Sequence, residues 1–345
     1  ENGFPDPYQA NEQITAVCIK YLGGDTIVFG CGDYEVKGTE KYIKCLDEYW
    51  LCKNFLNYWQ SNCPDIITGW NSKFFDIPYI INRFRKILGE PETKKLSPWN
   101  FIGERKTVIN GRQQIAYEML GVAALDYIEL YRWYAPGGKS QESYRLDHIA
   151  NVVLGDRKIS YEEHGDLHTL YRDDPQKYID YNIKDVELVK RFEEALGLIE
   201  LVMTMAYRAG VNYTDTLGTT TIWDVIIYRM LNKAHIACPP KADKAKSPYP
   251  GGYVKEPQVG QHDWVVSFDL NSLYPNIIVQ NNMSPETVLD GLVPNMSVEK
   301  MMARQVESYD GYSVAPTGVR FSHDRKGVVP QIITHYYNDR RIIKK

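Results

Sequence analysis

Apolar residues along the chain fall into short blocks whose spacing changes from one to the next. Two β-branched runs, Ile14-Thr-Ala-Val-Cys-Ile19 and Thr26-Ile-Val-Phe29, flank Gly23-Gly24-Asp25, which predicts a strand pair joined by a glycine turn. Leu46, Trp50, Phe55 and Trp59 then recur near helical spacing across Asp47 to Gln60, and Asn62-Cys-Pro64 closes that helix. Asp65-Ile-Ile-Thr-Gly-Trp-Asn71 reads as a short buried strand. A helix is expected to start at Asp76, with Pro78 in its first turn. The order strand, strand, helix, strand, helix predicts an α/β layer fold.

Further on, Lys106 to Ile115 reads as a hairpin turning at Asn110-Gly111, a pair suited to the two positive-φ positions of a type I′ turn. Val122-Ala-Ala-Leu-Asp126 runs into Tyr127-Ile-Glu-Leu-Tyr131, a strand-to-helix corner whose acid is expected to be structural. Ser143 to Leu154 is amphipathic, with Ser143 as the expected cap and Gly155 as the stop. Helices are predicted around Tyr178 to Val189, over Phe192 to Arg208, and over Thr221 to Lys233. The last is apolar on nearly all sides, so it is expected to be well buried. The Pro/Lys-rich stretch Pro239 to Pro248 is the clearest linker. Beyond it, Trp264-Val-Val-Ser-Phe268 is expected to be a strand that ends on Asp269, with a helix starting near Pro275.

Composition narrows the function classes. At 345 residues and 43% apolar, the chain has room for two domains and holds no run of eighteen apolar residues, so no membrane role is expected. Six cysteines form no Cys-x-x-Cys pair and imply neither a disulfide framework nor a zinc site, in keeping with a reducing cytoplasm. A formal charge of −4 argues against a simple nucleic-acid coat, and it is compatible with an enzyme that collects carboxylates for metals.

Three constellations carry chemistry. At the corner after Phe268, the amides of Asn271, Ser272 and Leu273 can face an anion while Asp269 holds a divalent cation. Tyr181 and Asp185, four residues apart on a helix, share one face, so the acid can hold a metal while the phenol orients water. Asp76 lies upstream in Asn71-x-x-x-Phe75-Asp76. For each acid taken alone, the ordinary reading is a helix cap.

The run Asp269-x-x-Ser-Leu-Tyr-Pro-x-Ile-Ile278 resembles the first palm motif of family B DNA polymerases, and Ser284-Pro-Glu-Thr287 resembles the T-even-like phage branch; Asn276 departs from the usual Ser. The resemblance implies that Asp269 binds catalytic Mg²⁺, that Leu270 adds a carbonyl, and that Tyr274 packs under the nucleotide sugar. Asn71-x-x-x-Phe75-Asp76 and Tyr181-x-x-x-Asp185 resemble motifs of the DnaQ-like 3′→5′ exonucleases that accompany these polymerases, where Asp76 and Asp185 would be metal ligands. Tyr249-Pro-Gly251-Gly252 resembles the Tyr-x-Gly-Gly motif that approaches template phosphates. The resemblance makes Arg340 a triphosphate contact, and it places the Asn110-Gly111 hairpin near the template-primer.

The resemblance implies a ribonuclease H-like exonuclease domain (1–198), a helical connector (199–240), part of a palm (241–326) and the start of a fingers helix (327–345). It also implies two Mg²⁺ per site with Mn²⁺ as a substitute, a DNA template-primer and deoxynucleoside triphosphates. Sliding clamp and other replication proteins are further implied partners, and the location is the host cytoplasm. The Asp-x-Glu exonuclease motif and the later polymerase motifs are not present, so the chain is expected to be a piece of a larger polypeptide and, by itself, inactive or weakly active. Two other readings stay open. One is a stand-alone DEDD-type nuclease with a DNA-binding second half, and the other is a template-primer binding relic whose carboxylates only cap helices.

Overall fold

A computed structural model describes residues 5–109, 112–238, 240, 254–305 and 310–344. The chain divides into two compact units, Glu1–Ile226 and Ile227–Lys345.

The first unit opens with β1 (Ala16–Lys20) and β2 (Thr26–Gly30), antiparallel in the register Ala16↔Gly30, and β3 (Lys41–Lys44) adds parallel to β2. All five residues of β2 are buried, as its unbroken apolar run requires. α1 (Glu48–Ser61) follows, capped by Asp47, whose carboxylate accepts from the Trp50 amide. Phe55 then meets Phe29 edge-on at 5.8 Å and Phe84 edge-on at 5.7 Å. These rings centre one apolar cluster with Leu51, Ile81 and Leu96.

β4 (Ile66–Gly69) leads through a tight turn into α2 (Asp76–Ile87) and the short α3 (Glu90–Thr93). β5 (Ile102–Ile109) and β6 (Arg112–Met119) pair as the predicted hairpin, with Ile109 opposite Arg112; its turn, Asn110-Gly111, lies outside the described residues. β7 (Ala123–Asp126) lies parallel to β4 and enters α4 (Tyr127–Tyr134). α5 (Leu146–Leu154), α6 (Leu167–Asp173), α7 (Pro175–Leu196) and α8 (Leu198–Ala209) follow. Leu130, Tyr131, Ile149, Leu188, Phe192 and Val202 fill a second cluster.

Three local expectations are corrected here. The helix from Phe192 to Arg208 is two helices, because Gly197 takes φ 60° and ends α7 before α8 begins. Buried Glu193 bridges the break: its carboxylate accepts from the Ile199 and Glu200 amides at 3.0 and 3.2 Å and from the Tyr127 hydroxyl. The cap of α5 is Arg145 and not Ser143, whose hydroxyl accepts instead from the Arg145 amide, one step outside the helix. α9 (Thr219–Lys233) forms, but it has no buried residue. It lies past the last member of either core cluster, so its apolar circumference lacks the surroundings that burial needs.

A buried ion pair ties the start of the first unit to its core. Arg83 donates to both oxygens of Glu48 at 2.6 and 2.7 Å and to the carbonyls of Ala10 and Asn11, while Glu48 also accepts from the Ile14 amide. Glu48→Ala leaves the guanidinium buried without its anion, an expected loss of about 3–5 kcal/mol. Urea unfolding measures it; a loss under about 1 kcal/mol would place the pair among exposed ones.

The second unit holds α10 (Leu273–Gln280), β8 (Val288–Leu289), α11 (Val298–Met302), β9 (Tyr312–Val314), β10 (Arg320–Ser322) and α12 (Val328–Ile343). β10 lies between β8 and β9, antiparallel to both. The strand expected at Trp264–Phe268 is not formed: Trp264 is 98% exposed and Phe268 91%. Apolar alternation specifies a face, but a strand also needs a neighbour for its amides and carbonyls. Among the described residues, no strand pairs with this run.

Candidate active sites

In the first unit, β4 delivers the chain into the turn at 70–75. A Cβ on Gly69 would meet the Cβ of Ser72 at 2.8 Å, and Asn71 takes φ 66°, so the backbone reverses sharply here. Asp126 holds that turn from below. Its carboxylate, 1% exposed, accepts from the amides of Asn71 at 2.9 Å, Lys73 at 3.0 Å and Ile128 at 3.1 Å. Lys73 adds an ion pair to Glu129 at 2.7 Å. Asp126 therefore shapes the loop that presents Asp76, a role the sequence leaves invisible because its partners lie over fifty residues away.

Asp76 is the first residue of α2, after Phe75 in the cap position. The residue as a whole is exposed, yet protein atoms crowd around its carboxyl. Burial first, and then the negative charge of Asp185, push its pKa up to about 6 against the pull of a backbone amide and Lys158.

Tyr181 and Asp185 project from one face of α7, as their spacing predicts. Between them lies Lys158, a residue no sequence pattern marks. Its ammonium is 2.7 Å from Asp185 Oδ2 and 2.5 Å from Tyr181 Oη, and 4.6 Å from the centre of the Tyr181 ring. Lys158 donates its own amide to Asp147, whose charge also reaches Asp185. Burial holds the Asp185 carboxyl above its ordinary range despite Lys158. The other oxygen of Asp185, Oδ1, is buried without a hydrogen-bond partner.

That orphaned oxygen, together with the Asp76 carboxyl that registers the charge of Asp185, is what a divalent cation site offers: hard acceptors in partial burial. Among the described residues, no three acidic, His or Cys side chains stand close enough to form a complete cage. Lys158 holds positive charge where the carboxylates need it.

An expected titration follows. Without divalent cations Asp76 titrates at about 6, and Asp185→Asn lowers the midpoint only part of the way, because burial is the larger cause. A carboxyl with a raised folded pKa adds stability that is full below about pH 4 and is lost as pH rises through 6. Carboxyl ¹³C NMR reads the midpoint; no change in Asp185→Asn would mean the two acids do not share a site.

In the second unit the expected corner is present as a helix start without its strand. Ser272 takes φ 54° and precedes α10, and the Asn276 amide group donates to the Asn271 carbonyl at 3.0 Å. Asp269 and Leu270 are exposed, and Tyr274 is 75% exposed. Asn271 and Leu273 flank Ser272, so the three amides assigned to an anion stand at one helix entry. Arg340, in the last turn of α12, reaches the Ser272 hydroxyl at 3.5 Å. Tyr249, Gly251 and Gly252 lie outside the described residues.

The exonuclease domain of DNA polymerase family B matches residues 1–149, and DNA polymerase family B matches residues 215–345. The chain belongs to the family B DNA polymerases. It is 36% identical to the DNA-directed DNA polymerase of Escherichia phage RB69 over 99% of its own length and 33% identical to that of Enterobacteria phage T4 over 94%. It is also 25% identical, over 99% of its length, to the DNA polymerase delta catalytic subunit of Schizosaccharomyces pombe. The chain spans 40% of the phage RB69 protein, 35% of the phage T4 protein and 32% of the yeast one. Domains of this kind generally use divalent metals.

Proposed function

We propose that the chain carries two phosphodiester chemistries of a phage replicative DNA polymerase: 3′→5′ proofreading in the first unit and template-directed primer extension in the second. The convergence of Asp76, Asp185 and Tyr181 around Lys158 is the observation that carries this reading. In it, residues 1–198 are the exonuclease domain, 199–240 the connector, 241–326 palm, and 327–345 the start of the fingers. Substrates are a DNA template-primer and deoxynucleoside triphosphates. A sliding clamp and other replication proteins are partners, and the site of action is the host cytoplasm.

Asp76 and Asp185 would hold one pair of Mg²⁺ ions, and Asp269 with the Leu270 carbonyl would help hold another, with Mn²⁺ as a substitute. When bound, such ions lower the pKa of an attacking oxygen and neutralise charge on the leaving one. Lys158 keeps the Tyr181 hydroxyl in place, where it can orient an attacking water. At the second site Tyr274 offers a ring for the nucleotide sugar, Asn271, Ser272 and Leu273 offer amides to phosphate, and Arg340 lies beside them. Tyr249, Gly251 and Gly252 are assigned to the template backbone.

The test is one labelled, mismatched primer-template with Mg²⁺. Shortening without deoxynucleotides and extension with them are both expected of a full-length polymerase that carries this chain, while the 345 residues alone are expected to do neither well, since each site lacks ligand-bearing motifs. The stand-alone DEDD nuclease is favoured by one contrast, since the exonuclease residues converge while Asp269 is exposed. Shortening without any Mg²⁺-dependent incorporation would select it, and neither activity would overturn both readings.

A further inference from the structure

The Ser284-Pro-Glu-Thr287 turn has a use that no cap or strand requires. Ser284, Thr287, Asn282 and Ser322 are polar yet all under 10% exposed, a polar cluster inside a small unit. Every one is engaged. Asn282, at φ 50°, donates to the carbonyls of Ser322 and Arg325 at 2.6 and 2.8 Å and accepts from the Gly327 amide at 2.8 Å. The Thr287 hydroxyl donates to the Asn282 carbonyl at 2.7 Å and accepts from the Ser284 amide at 3.2 Å.

From this platform two side chains reach the start of α12. Glu286 Oε1 accepts from the Val328 amide at 2.5 Å, and the Ser284 hydroxyl accepts from the Val329 amide at 3.3 Å while donating to Glu286 Oε2 at 2.7 Å. These amides are the first two of the helix, which its own residues cannot satisfy, and a carboxylate there also meets the positive end of the helix dipole. Gly327 makes the approach possible: a Cβ on it would meet the Cβ of Ser284 at 2.5 Å. Burial works against the Glu286 charge, but the Val328 amide, the Ser284 hydroxyl and Arg325 hold its carboxyl below the usual range.

α12 spans sixteen residues, and Arg340 comes after about 18 Å of rise. Over that length a tilt of ~10° at the N-terminus moves the arginine ~3 Å, enough to carry it away from a bound phosphate. Arg340 now stands at the entrance of α10, 3.5 Å from the Ser272 hydroxyl. The geometry points to Glu286, with Ser284 and Asn282 behind it, as a positioning residue for nucleotide binding, fixing the base of α12 so that Arg340 meets the triphosphate at the Ser272 corner. The inference rests on reading the second unit as the front of the polymerase site.

The experiment is single-nucleotide incorporation with a full-length polymerase that carries this chain and a matched template-primer, with pyrophosphate inhibition as a second readout. Glu286→Ala should raise the deoxynucleotide KM and the pyrophosphate inhibition constant together, by about tenfold, while kcat stays within about twofold. Glu286→Gln keeps an acceptor for Val328 and should restore both to within about threefold. Gly327→Ala, which pushes the helix base off Ser284, should match Glu286→Ala, and it decides the matter if Glu286→Ala melts too low to assay. A brace that only stabilises the fold would lower the melting temperature and leave both constants unchanged, which would overturn the inference. Unchanged constants in Gly327→Ala would do the same. Absence of incorporation by the unsubstituted full-length polymerase would sink the polymerase reading instead.

Discussion

In a full-length polymerase that carries this chain, replacing Asp76 and Asp185 together by alanine is expected to slow 3′→5′ degradation of a mismatched primer by about a thousandfold or more, with extension close to normal. The magnitude follows from what the pair supplies. Asp185 carries an unsatisfied buried oxygen, and Asp76 lies close enough for its titration to register the charge on Asp185. Removing both takes away the anionic acceptors of the site. One complication has a physical origin: without Asp185, the Lys158 ammonium keeps, among the described residues, only the Tyr181 hydroxyl as its close partner, so the double variant should also melt lower. Asp76→Ala alone avoids this, because Asp76 forms no ion pair among the described residues, and it should lose degradation at a nearly unchanged melting temperature. Degradation that persists in Asp76→Ala would remove this residue from the chemistry and leave it a helix-start acid.

How much of this was legible depended on the range of the interaction. β2 and α1 were readable because each carries its own signal: a run of apolar residues in one, a period ending at an Asp cap and an Asn-Cys-Pro stop in the other. The Tyr181 and Asp185 pairing was readable because helix geometry alone brings positions four apart together. Lys158 was not, since a lysine beside Arg157 in a polar stretch gives no pattern and its meaning arises from α7, more than twenty residues later. The break at Gly197 was missed because apolar periodicity continues on both sides of it, and only the positive φ reveals the stop. At Trp264–Phe268 the failure has the opposite form: the residues favour a strand, but strand formation is a property of two segments and not of one.

The exposed corner beyond that run leads to the sharpest expected contrast with the first unit. In the same full-length protein, Asp269→Ala should reduce templated extension by about a thousandfold or more while shortening of the primer continues. Because Asp269 is exposed, the substitution opens no cavity and uncovers no buried partner, so stability should move by no more than about 0.5 kcal/mol. A lost activity at an unchanged melting temperature then belongs to the chemistry and not to the fold, a separation the Asp185 variant cannot give. Asp76 and Asp185 lie in Glu1–Ile226 and Asp269 in Ile227–Lys345, so the reading assigns each loss to its own unit. The same labelled primer, run with and without deoxynucleotides, measures both activities in each variant. Loss of shortening as well as extension in Asp269→Ala would mean that the two chemistries share a ligand, and the assignment of separate sites to the two units would have to be abandoned.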